Sequence, residues 1–226
     1  MPDQTALIEW RDGKTPVSTQ FDDPYFSLND GLAETRHVFL AGNDLPARFH
    51  PGFHIAELGF GTGLNMLTVW QAWNYSGQTG PLRFTSFEQY PMRPQDIETA
   101  LSGFPDLADL ASIFLQNWPG DNNTPSLPGL NLRVITGDAR QTLPKWTEKA
   151  DAWFLDGFSP AKNPELWTPQ LMADVADHTN ADGTFATYTA AGYVRRALTQ
   201  AGFAVDRCPG YGRKRHMTVG QKKPAP

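Results

Sequence analysis

Residues 53–65 read Phe53-His54-Ile55-Ala56-Glu57-Leu58-Gly59-Phe60-Gly61-Thr62-Gly63-Leu64-Asn65. The first six form a short, mostly apolar run behind the break Pro51-Gly52, and a helical pattern starts at Leu64. Glycines between the two let the backbone turn sharply and approach a ligand, while the N–H groups of the helix start favour electron-rich atoms. The spacing is not the dinucleotide fingerprint G-x-G-x-x-G. Counted from Gly59 its third glycine falls on Leu64, and counted from Gly61 on Met66. The pattern present is acid-x-G-x-G-x-G, with Glu57 as the acid.

Downstream, strand and helix patterns alternate. Strands are expected at 53–58, 82–88, 132–137, 152–156, 183–189, 203–208 and 216–220, and helices at 64–73, 94–101, 164–176 and 191–201. Alternation implies parallel strands joined by crossover helices. Only Pro209-Gly210-Tyr211-Gly212 and a few basic residues separate the last two strands, too few for a crossover, so these two form an antiparallel hairpin. The expected fold class is α/β: a seven-stranded, mostly parallel sheet ending in an antiparallel hairpin, the Rossmann-like layout of class I methyltransferases. Upstream, 7–18 reads as a hairpin around Asp12-Gly13, followed by an Asp-rich aromatic loop at 21–29 and a helix near 32–40. The stretch 104–130, with its Asn and Pro cluster, reads as a loop-rich insertion.

With 226 residues, 40% of them hydrophobic, the chain can build one sizeable core and not two. No apolar run approaches a membrane span and no signal-peptide core precedes Glu9. Cys208 is the only cysteine and the five histidines lack ligand spacing; the expectation is a cytoplasmic protein with neither disulfide nor metal. The net charge of -5 hides an asymmetry. From Arg195 onward eight basic residues face one acid, a local +7, which leaves 11 basic and 23 acidic residues (-12) in 1–194. Such a positive segment can grip phosphates on an otherwise acidic molecule.

Four consecutive strands end near an acid: Glu57, Glu88, Asp138 and Asp156. Ligands of open α/β sheets bind at the carboxyl ends of the strands, so four such acids behind a glycine loop point to one site. Glu88 is placed for two ribose hydroxyls and Asp138 for adenine.

Glu57 to Asn65, Ser86-Phe87-Glu88, Gly137-Asp138-Ala139, Asp156-Gly157-Phe158-Ser159-Pro160-Ala161-Lys162-Asn163-Pro164 and Gly210-Tyr211-Gly212-Arg213-Lys214-Arg215 together resemble one family. It is the methyltransferase domain of the tRNA 5-methylaminomethyl-2-thiouridine biosynthesis enzymes (MnmC/MnmD type). Asp23-Pro24-Tyr25-Phe26-Ser27 and Gly31-Leu32-Ala33-Glu34-Thr35-Arg36 are similar too, so the resemblance covers nearly the whole chain; the run from Asp156 is its most specific motif. It implies transfer of a methyl group from S-adenosyl-L-methionine to the exocyclic amine of 5-aminomethyl-(2-thio)uridine at the wobble position of tRNA. It implies cofactor binding by Glu57, Gly59, Gly61, Glu88 and Asp138, to which Gly63, Asn65 and Ala139 are added from the same motifs, and a catalytic Asp156. Phe158 is expected on the uracil face, and Lys162, Arg213, Lys214 and Arg215 at RNA phosphates. Residues 1–50 would then form an N-terminal appendage over the active site of a methyltransferase domain at 51–226. A flavin-dependent oxidase, as a fused domain or a separate protein, would supply the substrate; no flavin domain is expected within these 226 residues, which carry no second glycine fingerprint. Two other readings stay open at this level: a methyltransferase acting on a protein or small-molecule amine, and a non-catalytic RNA-binding module.

Overall fold

A computed structural model describes residues 5–27, 30–119 and 123–223. Parts of the expected aromatic loop (28–29), of the insertion (120–122) and of the C-terminal ending (224–226) lie outside these.

The chain opens with β1 (Ile8–Arg11) and β2 (Thr15–Ser18), antiparallel and joined through Asp12 and Gly13, both at positive φ. A two-residue β3 (Asp23–Pro24) completes a small sheet in the order β1-β2-β3. Asp30 then caps α1 (Gly31–Thr35) by accepting the Ala33 N–H, and one π-helical turn, Arg36–Leu40, continues its path.

The large sheet starts at β4 (His54–Leu58), every residue of which is buried. The glycine turn leads into α2 (Leu64–Tyr75). There follow β5 (Leu82–Glu88), α3 (Pro94–Leu101), α4 (Ala108–Asn117), β6 (Ser126–Leu127), β7 (Leu130–Thr136), α5 (Ala139–Thr142), β8 (Ala150–Leu155), α6 (Pro169–Asp177), β9 (Thr179–Thr187), α7 (Gly192–Gln200), β10 (Phe203–Pro209) and β11 (His216–Lys222). Spatial order is β10-β11-β9-β8-β4-β5-β7-β6. β7, β5, β4, β8 and β9 run parallel to one another, and β11 inserts antiparallel between β9 and β10. β4 is therefore central, and the strands beside it carry their carboxyl ends to the glycine turn. One apolar cluster, with Trp70, Phe84, Phe114 and Phe154, packs one face; the other holds Trp153, Trp167, Leu171 and Val194.

Three differences from the sequence reading have local causes. The sheet has eight strands, because β6 adds a two-residue antiparallel edge to β7. The stretch expected to be loop-rich contains α4, whose Ala111 and Phe114 are buried in the core; the Asn and Pro cluster that suggested a loop begins only after it. The single helix expected at 164–176 is split into a 3-10 turn, Pro164–Trp167, and α6. Pro169 forces Thr168 into an extended conformation (ψ 150°), and the Thr168 hydroxyl then accepts the Leu171 N–H as a new cap. Among the described residues no helix is long and apolar enough to cross a membrane, and no group of three or more His, Cys, Asp or Glu could hold a metal ion.

Candidate active site

The carboxyl ends of β4, β5, β7, β8 and β9 open into one cavity of about 770 Å³, roofed by residues of the N-terminal segment and of the β10–β11 turn. Its floor is the glycine turn. Gly59 has φ +91° and packs so closely on the chain after β8 that a Cβ there would overlap the Asp156 carbonyl oxygen. At Gly61 (φ +53°) a Cβ would sit 3.1 Å from the Tyr25 ring. Gly59→Ala is expected to destabilise the fold by about 3 kcal/mol or more, read by urea unfolding, since strain and overlap act together. Unchanged stability would mean that the turn relaxes freely.

Glu88 ends β5 at the cavity wall. One of its oxygens accepts the Gly61 N–H at 3.0 Å and the other the Tyr90 N–H at 2.7 Å. Burial pushes its carboxyl up, against the lowering effect of these backbone donors.

Asn65, in the first turn of α2, ties the site together. Its amide nitrogen donates to Glu57 at 2.9 Å and to Asp156 at 2.7 Å, and its oxygen accepts the Thr35 hydroxyl at 2.9 Å. Glu57 also accepts the Ser86 hydroxyl at 2.7 Å. It is fully buried, and that burial raises its carboxyl well above the usual range. Expected at the ligand, Glu57 instead lies beneath the cavity, which it does not line, because both oxygens are engaged inside the core. Asp156 does line the cavity. Burial pushes its carboxyl up to about 7, opposed by the Asn65 hydrogen bond and by Lys214, and aided by Glu34.

Asp138 also departs from expectation. Its carboxylate accepts the Arg140 N–H, caps α5 and grips the Arg140 guanidinium at 2.7–3.0 Å. That grip holds it below the usual carboxylate range. Its neighbours Gly137 and Ala139, not Asp138, line the cavity. Lys162 is likewise turned from solvent phosphates: it bonds the Asp22 carbonyl, pairs with the Asp22 carboxylate at 3.0 Å and stands 3.8 Å from Asp23. Of the basic turn, Arg213 and Lys214 line the cavity mouth and Arg215 is exposed beyond it.

Phe158 stacks on Phe21, with centroids 4.8 Å apart and 27° between planes, and meets the edge of Tyr25 at 5.0 Å. Asp23 accepts the Ser159 N–H at 2.7 Å. Phe21, Asp23 and Tyr25 carry no site role in the sequence reading; the aromatic and acidic cluster of their loop, and the family resemblance over 23–27, were the available signals. Glu34 and Tyr188 are further lining residues without a sequence-based assignment; Glu34 lies in the 31–36 stretch that carries the family resemblance, whereas nothing local marks Tyr188.

A family model for S-adenosyl-L-methionine-dependent methyltransferases matches residues 105–223. The chain belongs to that family. Its methyl donor is S-adenosyl-L-methionine. Over its whole length this methyltransferase is similar to MnmC2 from Aquifex aeolicus (27% identity, 73% of that chain covered, TM-score 0.72). Two more distant structures share the fold alone. They are spermidine synthase from Thermotoga maritima (12% identity, 96% of this chain and 72% of that one, TM-score 0.55) and precorrin-6y C5,15-methyltransferase from Geobacter metallireducens (11% identity, 96% and 98%, TM-score 0.53). The methyltransferase cavity suits its cofactor. A half-buried carboxylate, Glu88, faces it and accepts the Gly61 and Tyr90 N–H groups, and the glycine turn, at positive φ at Gly59, Gly61 and Gly63, brings bare backbone to the cavity wall.

Proposed function

We propose that this methyltransferase converts 5-aminomethyl-(2-thio)uridine at the tRNA wobble position to 5-methylaminomethyl-(2-thio)uridine, by N-methylation of the exocyclic amine. The observation that carries the reading is the Asp156 carboxylate, held by Asn65 in the cavity wall beside the glycine turn and two residues from Phe158 in its aromatic cluster. The resemblance of the 156–164 run to the tRNA-modifying family adds the acceptor. We assign Glu88 to the ribose hydroxyls, the Gly59–Gly63 turn to the methionine part and Gly137–Ala139 to the adenine end. Glu57 and Asn65 are assigned to holding turn and catalytic carboxylate in register. S-adenosyl-L-methionine supplies a methyl group on a sulfonium, which leaves as a neutral thioether and needs no acid.

The amine decides the role of Asp156. A primary alkylammonium with a pKa near ~10.4 has no lone pair at neutral pH. An ordinary carboxylate near ~4 would take its proton against about 6 units, or ~8 kcal/mol. Burial of Asp156 halves that gap, but the arriving cation pulls the carboxyl back down and the carboxylate raises the amine. The ammonium therefore loses its proton to water; Asp156 then accepts a hydrogen bond from the neutral nitrogen, aims it, and stabilises the cation that grows on it. The cluster of Phe158, Phe21 and Tyr25 is assigned to the pyrimidine, which aromatic rings bind by stacking.

Incubation with tRNA bearing the aminomethyl nucleoside, followed by mass spectrometry of the nucleosides, tests the reading. Cofactor binding without any methylated nucleoside would sink it. Transfer to a protein or small amine instead would support the rival acceptor. The carboxymethylaminomethyl form, whose extra carboxylate faces Asp156, is expected to react far more slowly.

Arg213 and Arg215 are assigned to phosphates at the cavity mouth. Reversing both to Glu should weaken tRNA binding and lower the log–log salt slope by somewhat under one unit for each lost contact, about 0.7–0.9. Filter binding across a salt series that shows a wild-type slope would leave the turn a solvated hairpin.

A further inference from the structure

Lys214 stands apart from the two arginines beside it. Its ammonium turns inward to lie 2.8 Å from a Glu34 oxygen and 4.1 Å from the centre of the Tyr188 ring. Glu34 comes from α1, with a side chain only 11% exposed. Tyr188 donates its hydroxyl to the carbonyl of Gly157, the residue after Asp156. Glu34, Tyr188, Lys214 and Asp156 all line the cavity.

A lysine head is a primary alkylammonium, the same chemical group as the proposed acceptor in its protonated form. The carboxylates around the cavity differ in how well they are occupied. Glu88 has two backbone donors, Glu57 has Asn65 and Ser86, and Asp23 has the Ser159 N–H with Lys162 nearby. For Asp156 one side-chain hydrogen bond is found, from Asn65. A lysine released from Glu34 would meet Asp156 as the least satisfied anion within the same cavity.

We propose that Glu34 is a positioning residue: it holds the Lys214 ammonium on the Tyr188 ring and so keeps Asp156 free for the acceptor amine. This rests on the reading that an alkylamine reacts at Asp156. The pair also seats the β10–β11 turn against α1, which joins the basic cavity mouth to the N-terminal roof. Tyr188 contributes its ring face to the cation.

The test compares wild type, Glu34→Gln and the double variant Glu34→Gln with Lys214→Met. Methyl transfer to aminomethyl-bearing tRNA is followed alongside a carbon-13 NMR titration of the Asp156 carboxyl without RNA. Glu34→Gln should lower kcat about tenfold and move the Asp156 midpoint down by about one unit or more, as an added close cation does. The double variant should regain most of both, since the intruding cation is gone. A merely structural Glu34 would not be rescued by removing its partner. Glu34→Asp keeps the charge with a shorter reach and should show the same changes in smaller measure, which covers the case of a Gln variant that does not fold. Wild-type turnover and midpoint in Glu34→Gln, or a double variant as slow as the single, would overturn the proposal. Absence of methyl transfer by wild type with the titration shifts intact would instead overturn the acceptor reading and leave the displacement of Lys214 standing.

Discussion

Asp156→Asn should lower turnover about a thousandfold while leaving S-adenosyl-L-methionine binding nearly intact, within the range typical of lost general acid–base or charge-stabilising groups. The amide keeps the shape of the side chain and can still accept the Asn65 hydrogen bond, but it has no charge to offer the growing cation. Single-turnover methyl transfer and calorimetry, run side by side, separate the two effects. In the wild type the rate should climb with pH, first through about 7 as Asp156 ionises, then up to about 9 as more amine becomes neutral. A flat profile with chemistry rate-limiting would contradict the proton loss proposed. The same substitution should raise stability at alkaline pH. Asp156 binds its proton more tightly in the folded chain (about 7) than at its ordinary value of 3.8. Between those limits the folded state holds more proton than the unfolded one, so the contribution of Asp156 to stability falls as pH rises, by about 4 kcal/mol at most. Asp156→Asn should therefore melt higher than wild type at pH 8 and close to it at pH 4. A lower melting point at pH 8 would show that the buried charge is not a burden to the fold.

Glu88→Ala is expected to weaken S-adenosyl-L-methionine binding by a hundredfold or more. Two ribose hydroxyls would lose a charged acceptor, and hydrogen bonds to charged groups are worth about 1.5–3 kcal/mol each. The Gly61 and Tyr90 N–H groups also lose their acceptor, which loosens the glycine turn itself. Glu88→Gln, which keeps one oxygen but points an N–H₂ group at backbone donors, should fall between. Calorimetry giving a wild-type affinity for Glu88→Ala would remove Glu88 from the cofactor site.

The local pattern made much of the scaffold readable. The 82–88 strand and the 94–101 helix coincide with β5 and α3. The first is bounded by Gly80-Pro81 and Pro91 and carries the strand-favouring Phe84, Thr85 and Phe87; the second starts at Pro94, where the missing N–H is harmless. The antiparallel end of the sheet followed from chain length alone, since a few residues cannot make a crossover. Helix α4 was hidden because the loop composition after it dominated the window, although Ala111 and Phe114 carry a helical spacing.

The acids at the strand ends were legible as a group because a strand's carboxyl end is fixed by the strand itself. Their individual roles were not. Whether a carboxylate faces the ligand depends on which donors reach it first, and those come from two residues away in one case and from much farther along the chain in others. Glu57 is claimed by Asn65 and Ser86, and Asp138 by Arg140. Lys162 is claimed by Asp22, 140 residues away in the chain. The basic turn divides in the same way: Arg213 lines the mouth, Arg215 is exposed, and Lys214 is captured by Glu34, 180 residues away in sequence. By itself the sequence determined the parallel α/β sheet, its antiparallel ending, the glycine turn and the row of acids beside it, because periodicity, turn chemistry and chain length act over a few residues. Only the tertiary structure decided which of those charges face the cavity and which serve as caps and internal pairs, because electrostatic partners are chosen by distance in space.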